Sequence, residues 1–366
     1  MTKADISKYI PADQQPQRCD KTVDIEDALK TSVKWPCSAC DKVFSAQQEM
    51  LDHFAAFHND EEADLSAHSP HTPGIYQVEE EAYHAGDGIS RSELWTVHNK
   101  TPHHWRYGER KETKAQTFGK AIHTAVLEPE LFDVAFFCGP DDRRGGKWDA
   151  AVKIAAANGK TCITSGDYDD ALKIRDIAHR NPMIRKLTKD KPSIEQSAYA
   201  IDEKTGELMK VRPDIYSHTL RVMADLKSTT SSAPYDFQKS VAEYGYHLHD
   251  FMYPIIWEAA GGAPVDGFVF ICIEKAAPWA IAVYELSDSA RREAQAIYRV
   301  ALDNISECMK LERKMRADNE ASKSNGNKGL DPSQLNRAVA ASCWPSYSPK
   351  VQPLDLPMYA YNLTKP

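Results

Sequence analysis

The chain has 366 residues, 42% hydrophobic and 27% charged, the balance of a soluble globular protein. A net charge of −8 argues against a non-specific nucleic-acid coat, although the field at a cleft need not follow the total. No apolar run reaches the ~18–20 residues that cross a bilayer, and "MTKADISKYIPADQQ" lacks the apolar stretch of a secretory signal, so a cytoplasmic protein with no membrane partner is expected.

Residues 1–34 read as irregular. Residues 35–58 hold "CSACDKVFSAQQEMLDHFAAFH", with Cys37 and Cys40 two residues apart, twelve residues to His53 and four more to His58. A tetrahedral Zn²⁺ site needs two thiolates on a tight turn and two imidazoles on one helical face, which this spacing supplies. So short a unit would draw most of its stability from the metal. Its helix carries no arginine, which argues against base reading. The other six cysteines (Cys19, Cys138, Cys162, Cys272, Cys308 and Cys343) follow no framework spacing and read as free thiols. Residues 59–74, acidic and then rich in His and Pro, read as a linker.

A larger domain is expected over 75–312. Ser90 and Glu93 are spaced as a capping box before a helix. "TKAQTFGKAIHTAVLEPELF" predicts a helix ended by Pro129, carrying His123 one turn after Gly119, a glycine that permits close approach by another backbone. "DDRRGGKWD" offers Arg143, Arg144 and Lys147 as phosphate contacts or as a solvated basic loop. Two further helices are expected over "GGKWDAAVKIAAANG" and "DYDDALKIRDIAHRNP". Strands follow at "SIEQSAYAI", "LMKVRPDIY" and "TLRVMADLK", then one long helix, "APYDFQKSVAEYGYHLHDFMYPIIWEAAGG", then two more strands and a helix capped by Ser287. Residues 313–366 read as a flexible loop and a Pro- and aromatic-rich tail.

The stretch "VRPDIYSHTLRVMADLKSTT" places ten residues between Asp214 and Asp225 and one between Asp225 and Lys227. Strand alternation puts Asp225 and Lys227 on one face, and Asp214 can meet them across the turn. Two carboxylates and a lysine are what metal-assisted phosphodiester hydrolysis requires; a buried structural ion pair is the alternative. Glu195 on the preceding strand, His123, and the pair His249 and Tyr253 in "YHLHDFMY" are the neighbouring candidates.

In this order the residues resemble the PD-(D/E)xK nuclease superfamily. More closely, "YHAGDGISRSEL", "FGKAIHTAVLEPELF", "VRPDIY", "ADLKSTTS" and "YHLHDFMY" resemble the RecE-type (exodeoxyribonuclease VIII) exonucleases, from about Tyr76 to Leu286, with "CWPSYSPKVQPLDLP" extending the likeness to the tail. The resemblance implies an α/β fold with a central mixed sheet flanked by helices, and Mg²⁺-dependent (or Mn²⁺-dependent) 5′–3′ degradation of one strand of linear duplex DNA. His123, Asp214 and Asp225 would be metal ligands, Lys227 the catalytic lysine and Glu195 an assisting acid. It also implies a ring-like homo-oligomer, a single-strand annealing partner and a phage or prophage setting. His249 stands where the family has Gln. An inactive nuclease fold used for binding, and an endonuclease or single-strand nuclease, stay open at this point.

Overall fold

The structure, a computed structural model, describes residues 71–109, 114–348 and 350–354, and the backbone at 35–36 and 43–44. There β1 (Trp35–Pro36) and β2 (Val43–Phe44) pair antiparallel. The expected zinc ligands Cys37, Cys40, His53 and His58 lie outside the described residues. The chain divides into two compact units, one of residues 1–89 and 111–294, the other of 90–110 and 295–366.

After β3 (Gly74–Tyr76) and α1 (Glu80–Ala85), the expected capping box opens α2 (Arg91–Asn99), where Glu93 Oε2 accepts from the Ser90 backbone N–H at 2.6 Å. Thr101 caps α3 (Pro102–Tyr107). Helix α4 (Lys114–Leu127) stops before Pro129, and that proline also starts α5 (Pro129–Ala135), where a missing N–H costs nothing. Strands β4 (Phe136–Gly139) and β5 (Thr161–Thr164) pair in parallel around α6 (Gly146–Ala157). Neither strand is foreseen in the sequence, because four residues are too few to set an alternation. Asn181 ends α7 (Ser165–Arg180) and caps α8 (Pro182–Leu187).

Two runs expected as single strands are each broken. Glu195, at φ +50°, separates β6 (Ser193–Ile194) from β7 (Ser197–Ile201). Residues 212–214 separate β8 (Leu208–Val211) from β9 (Ile215–Ser217). Each break moves the chain between sheets. Strands β3, β7 and β8 form a small antiparallel sheet. Strands β6 and β9 join β10 (Val222–Thr229), β11 (Gly267–Glu274) and β12 (Ile281–Tyr284) in the order β12-β11-β10-β9-β6. Only β10 and β11 run parallel there, so the sheet is mixed. The crossover between them, expected as one helix, is two: Gly245 at φ +67° ends α9 (Pro234–Tyr244), and α10 (His247–Ala259) follows.

The strand faces explain the core. Ala224 and Leu226 of β10, with Ile271 and Ile273 of β11, bury against Ile122 and Val126 of α4 and Ile174 and Ala178 of α7. The opposite face of the same strands carries Asp225, Lys227 and Phe270, and the aromatic rings of α9 and α10 cover it.

Helix α11 (Asp288–Ser324) starts in the first unit and continues through the second. It runs past the expected loop start because "RADNEASK" is composed largely of tolerable helix formers, and polarity alone does not mark a loop. Helix α12 (Pro332–Cys343) is capped by Asp331. The second unit's core is Cys308, Leu335, Val339, Cys343 and Trp344. Cys162, Cys272, Cys308 and Cys343 are free thiols as expected. Cys138 departs from that expectation, being disulfide-bonded. Among the described residues no helix is long and apolar enough to cross a membrane.

Candidate active site

The site is assembled where the two broken strands lie side by side. The register that pairs Ala224 with Ile215 sets Asp214, at the entry to β9, next to Asp225. Asp214 Oδ2 accepts from the Leu226 backbone N–H at 2.6 Å, which fixes the carboxylate against β10. The Glu195 backbone N–H donates to the Asp214 carbonyl at 3.2 Å, so the second break is stitched to the first. A left-handed backbone on a residue other than glycine costs roughly 1–3 kcal/mol and is kept where surrounding structure enforces it. Here Arg212 is part of that enforcement. Its Nε donates to Glu195 Oε2 at 2.8 Å, and its Nη1 donates to the Val78 carbonyl and to Ser197 Oγ.

Helix α4 brings the imidazole. A Cβ on Gly119 would lie 3.1 Å from Ser228 Oγ, the residue after Lys227, so the bare glycine lets α4 sit close to β10. The neighbour that approaches is a side chain rather than the backbone. One turn later His123 Nδ1 stands 3.6 Å from Asp214 Oδ2. Ligand atoms of His123, Glu195 and Asp214 all fall within 4.8 Å of one another.

Asp225, only 2% exposed, lies beside this group. Its Oδ2 faces the Lys227 ammonium but has no well-directed hydrogen bond. His249 Nε2 is 3.7 Å from Asp225 Oδ1, while its Nδ1 is 3.2 Å from the Tyr246 carbonyl. Tyr246 places its ring 4.9 Å from Lys227 Nζ. Tyr253 packs edge-on to His249 at 4.9 Å and is part of the aromatic layer.

The electrostatics are those of a crowded, buried acid cluster only partly offset by Arg212 and Lys227. Burial, then the Asp225 charge, push the Asp214 carboxyl far above its usual range. Burial and the Asp214 charge raise Glu195 to about 7. Burial lowers His123 against the opposing pull of Glu195, which leaves a neutral imidazole with a lone pair. Burial alone would lower Lys227, but Asp225 and Asp214 outweigh it and hold the ammonium charged. A divalent cation meets each of these conditions. The donors are carboxylate oxygens and one imidazole nitrogen, the ligand types such ions take. The Leu226 N–H presets the Asp214 carboxylate and Arg212 presets that of Glu195, and a cation would relieve the repulsion that raises the two carboxyls.

The remaining sequence candidates have other partners. Arg143 pairs with Asp167 at 2.6 Å and stacks over Trp148, and Arg144 forks onto Asp142. Both guanidinium groups are thus engaged by carboxylates outside the cluster. Arg212, Tyr246 and Ser228 join the site without a sequence motif that marks them. Arg212 does carry a weaker signal, since it directly precedes Pro213-Asp214 and a charge beside a broken strand needs a partner.

Comparisons with known proteins bear on the fold and the family. No curated protein matches the chain. The crystal structure of a candidate exonuclease from Eubacterium rectale is similar, with a TM-score of 0.45 at 14% identity, over 79% of this chain and 100% of that one. Residues 91–321 match the family described as a PDDEXK-like domain of unknown function (DUF3799). That span holds Asp225 and Lys227 on a strand of the mixed sheet, with Asp214 and Glu195 at the strand breaks beside it, and the chain belongs to this PDDEXK-like family.

Proposed function

We propose that the protein is a divalent-metal-dependent exodeoxyribonuclease that degrades one strand of linear duplex DNA in the 5′–3′ direction, with Mg²⁺ (or Mn²⁺) at the cluster. The observation that carries this reading is the convergence of His123, Glu195 and Asp214 within ligand distance, next to the Asp225–Lys227 pair. A bound cation would supply positive charge and make water a better nucleophile. His123, Glu195, Asp214 and Asp225 hold that cation in the proposal. Lys227 keeps its proton and presents Nζ to the phosphate, offsetting charge that grows in the transition state. His249 steadies Asp225 from the α10 side, and Tyr246 limits where the ammonium can swing.

On the same reading the chain acts as a ring-like homo-oligomer with a single-strand annealing partner in phage-type recombination inside a bacterial cell, and Cys37, Cys40, His53 and His58 hold Zn²⁺. The oligomer, the partner and the setting rest on the resemblance to the RecE-type exonucleases, and the zinc ligands on the spacing of the two cysteines and two histidines.

Incubation with linear and covalently closed duplex DNA, with Mg²⁺ or with chelator, tests the activity through acid-soluble nucleotide. Mg²⁺-dependent release from linear DNA alone supports the exonuclease, and strands labelled at one end give the polarity. Cutting of the closed circle supports an endonuclease instead. No release from either substrate by folded, metal-replete protein supports a binding module. Asp225→Asn and Lys227→Ala should each lower the rate roughly 100-fold or more, with circular dichroism unchanged. Retention of the rate in either variant removes the site from the proposal.

A further inference from the structure

The chain carries a net charge of −8, yet "HRNPMIRKLTKDK", residues 179–191, holds Arg180, Arg185, Lys186, Lys189 and Lys191 against a single acid, Asp190. Ile184 and Leu187 of α8 are buried in the core beneath β10, which turns Arg185 and Lys186 outward. Arg180, Lys189 and Lys191 are exposed as well. Elsewhere in the first unit Arg143, Arg144, Arg175, Arg212 and Arg221 each hold a carboxylate. Among the described residues Arg180, Arg185, Lys186 and Lys191 hold none, and Lys189 reaches only Asp190, at 3.9 Å. Basic side chains in a last helical turn complement the helix dipole, which accounts for one or two of these cations. Lys189 and Lys191 lie beyond the end of α8 and have no such reason to be basic.

The segment is also held in place at a cost. Asp190 and Lys191 are both left-handed, at φ +60° and +56°. Lysine seldom adopts that region, and the following Pro192 restricts it further. Each such residue costs roughly 1–3 kcal/mol. Thr219 Oγ1 donates to Asp190 Oδ2 at 3.4 Å, and Ser193 Oγ meets His218 Nε2 at 3.0 Å, so the turn is tied to the connection between β9 and β10. Strand β6, at the edge of the mixed sheet, follows at once and leads into Glu195. Four residues separate Lys191 from that carboxylate along the chain, a reach of at most ~14 Å.

Outward cations without internal partners, fixed on the approach to an acid cluster, complement a polyanion. Duplex DNA presents one negative charge per ~1.7 Å of its axis, so several of these side chains can be engaged at once. We infer that Arg180, Arg185, Lys186, Lys189 and Lys191 hold the phosphate backbone of the duplex substrate beside the acid cluster. The choice of DNA over an acidic protein rests on the nuclease reading above. Contacts of this kind position the duplex and read no sequence.

The test uses the full chain in chelator, so that binding is read without cleavage. Anisotropy of a labelled blunt duplex is followed between about 50 and 200 mM salt. Saturable binding that weakens with salt is expected. Arg185→Ala, Lys186→Ala and Lys191→Ala should each reduce the slope of log affinity against log salt by about one, and Arg185→Lys should keep it. Replacing Arg180, Arg185, Lys186 and Lys191 together by alanine should weaken binding roughly 100-fold or more. Lys310→Ala and Lys314→Ala, at exposed positions of the second unit, should leave the slope as it is. No saturable binding by wild type, an unchanged slope in the patch variants, or an equal fall in the Lys310 and Lys314 variants overturns the inference. A surface made for an acidic protein would give the second of these results. Melting curves check each variant, and if the combined one does not fold the single ones decide. In Mg²⁺ the patch variants should raise KM more than they lower kcat. Cleavage with an unchanged KM in all of them removes the patch and leaves the nuclease reading standing. Patch-dependent duplex binding by protein that cuts no DNA does the reverse.

Discussion

Asp214 and Glu195 are held above the pKa values they would have in an unfolded chain, and the sign of that shift has consequences. Protonation favours the folded state, so their contribution to stability is fully present below about pH 4 and is lost as pH rises through about 7 for Glu195. For Glu195 alone the difference is on the order of 3 kcal/mol. Removing one of the crowded charges should therefore stabilise the metal-free protein. Asp214→Asn is expected to melt several degrees above wild type at pH 7.5 in chelator, and to show little gain at pH 4.5. A divalent cation should raise the wild-type melting temperature more at pH 7.5 than at pH 5, with proton release on binding, and should do nothing for Asp214→Asn. An equal Mg²⁺ increment at both pH values, or in the variant, would show that these carboxyls do not hold the ion.

The elements explain why some of the site is legible in the sequence and some is not. Period-2 alternation places Asp225 and Lys227 on one face of β10, and the ion pair between them agrees. Helical spacing likewise carries His123 and the boundary of α4 near Pro129. The breaks at Glu195 and at 212–214 are not legible. Val211 and Ile215 flank the second break and Ile194 precedes the first, and a switch between sheets is decided by the tertiary register rather than by the local pattern. Gly245 is hidden for a similar reason, since a single glycine inside a helical pattern is tolerated and its left-handed angle belongs to the folded chain. Gly119 is legible as a close approach, but its partner is not. Because a Cβ at position 119 would meet Ser228 Oγ at 3.1 Å, Gly119→Val should force α4 away from β10 and cost about 1–3 kcal/mol. Cleavage should fall further than stability explains, because His123 moves with the helix. Ser228→Ala in the same chain removes the opposing oxygen and should recover part of both losses. If Gly119→Val melts and cuts like wild type, close packing of α4 on β10 does not position the imidazole.

At the scale of the whole molecule the proposal asks for two metals of different chemistry on one chain. The carboxylates and imidazole at His123, Glu195 and Asp214 are donors that suit Mg²⁺ or Mn²⁺. The spacing of Cys37, Cys40, His53 and His58 offers thiolates, which select zinc. Every residue proposed for the carboxylate site lies between 111 and 294, in the first unit, and the four zinc candidates all precede residue 59. The two sites share no ligand, so their metals should be separable. Cys37→Ser should lose one zinc per chain by elemental analysis and keep the Mg²⁺-dependent rise in melting temperature. Asp214→Asn should do the reverse, keeping its zinc and losing the Mg²⁺ response. Zinc content unchanged by Cys37→Ser would remove the finger from the proposal. Loss of the Mg²⁺ response in Cys37→Ser would mean that the N-terminal segment contributes to the carboxylate site, and the independence argued from ligand chemistry would fail.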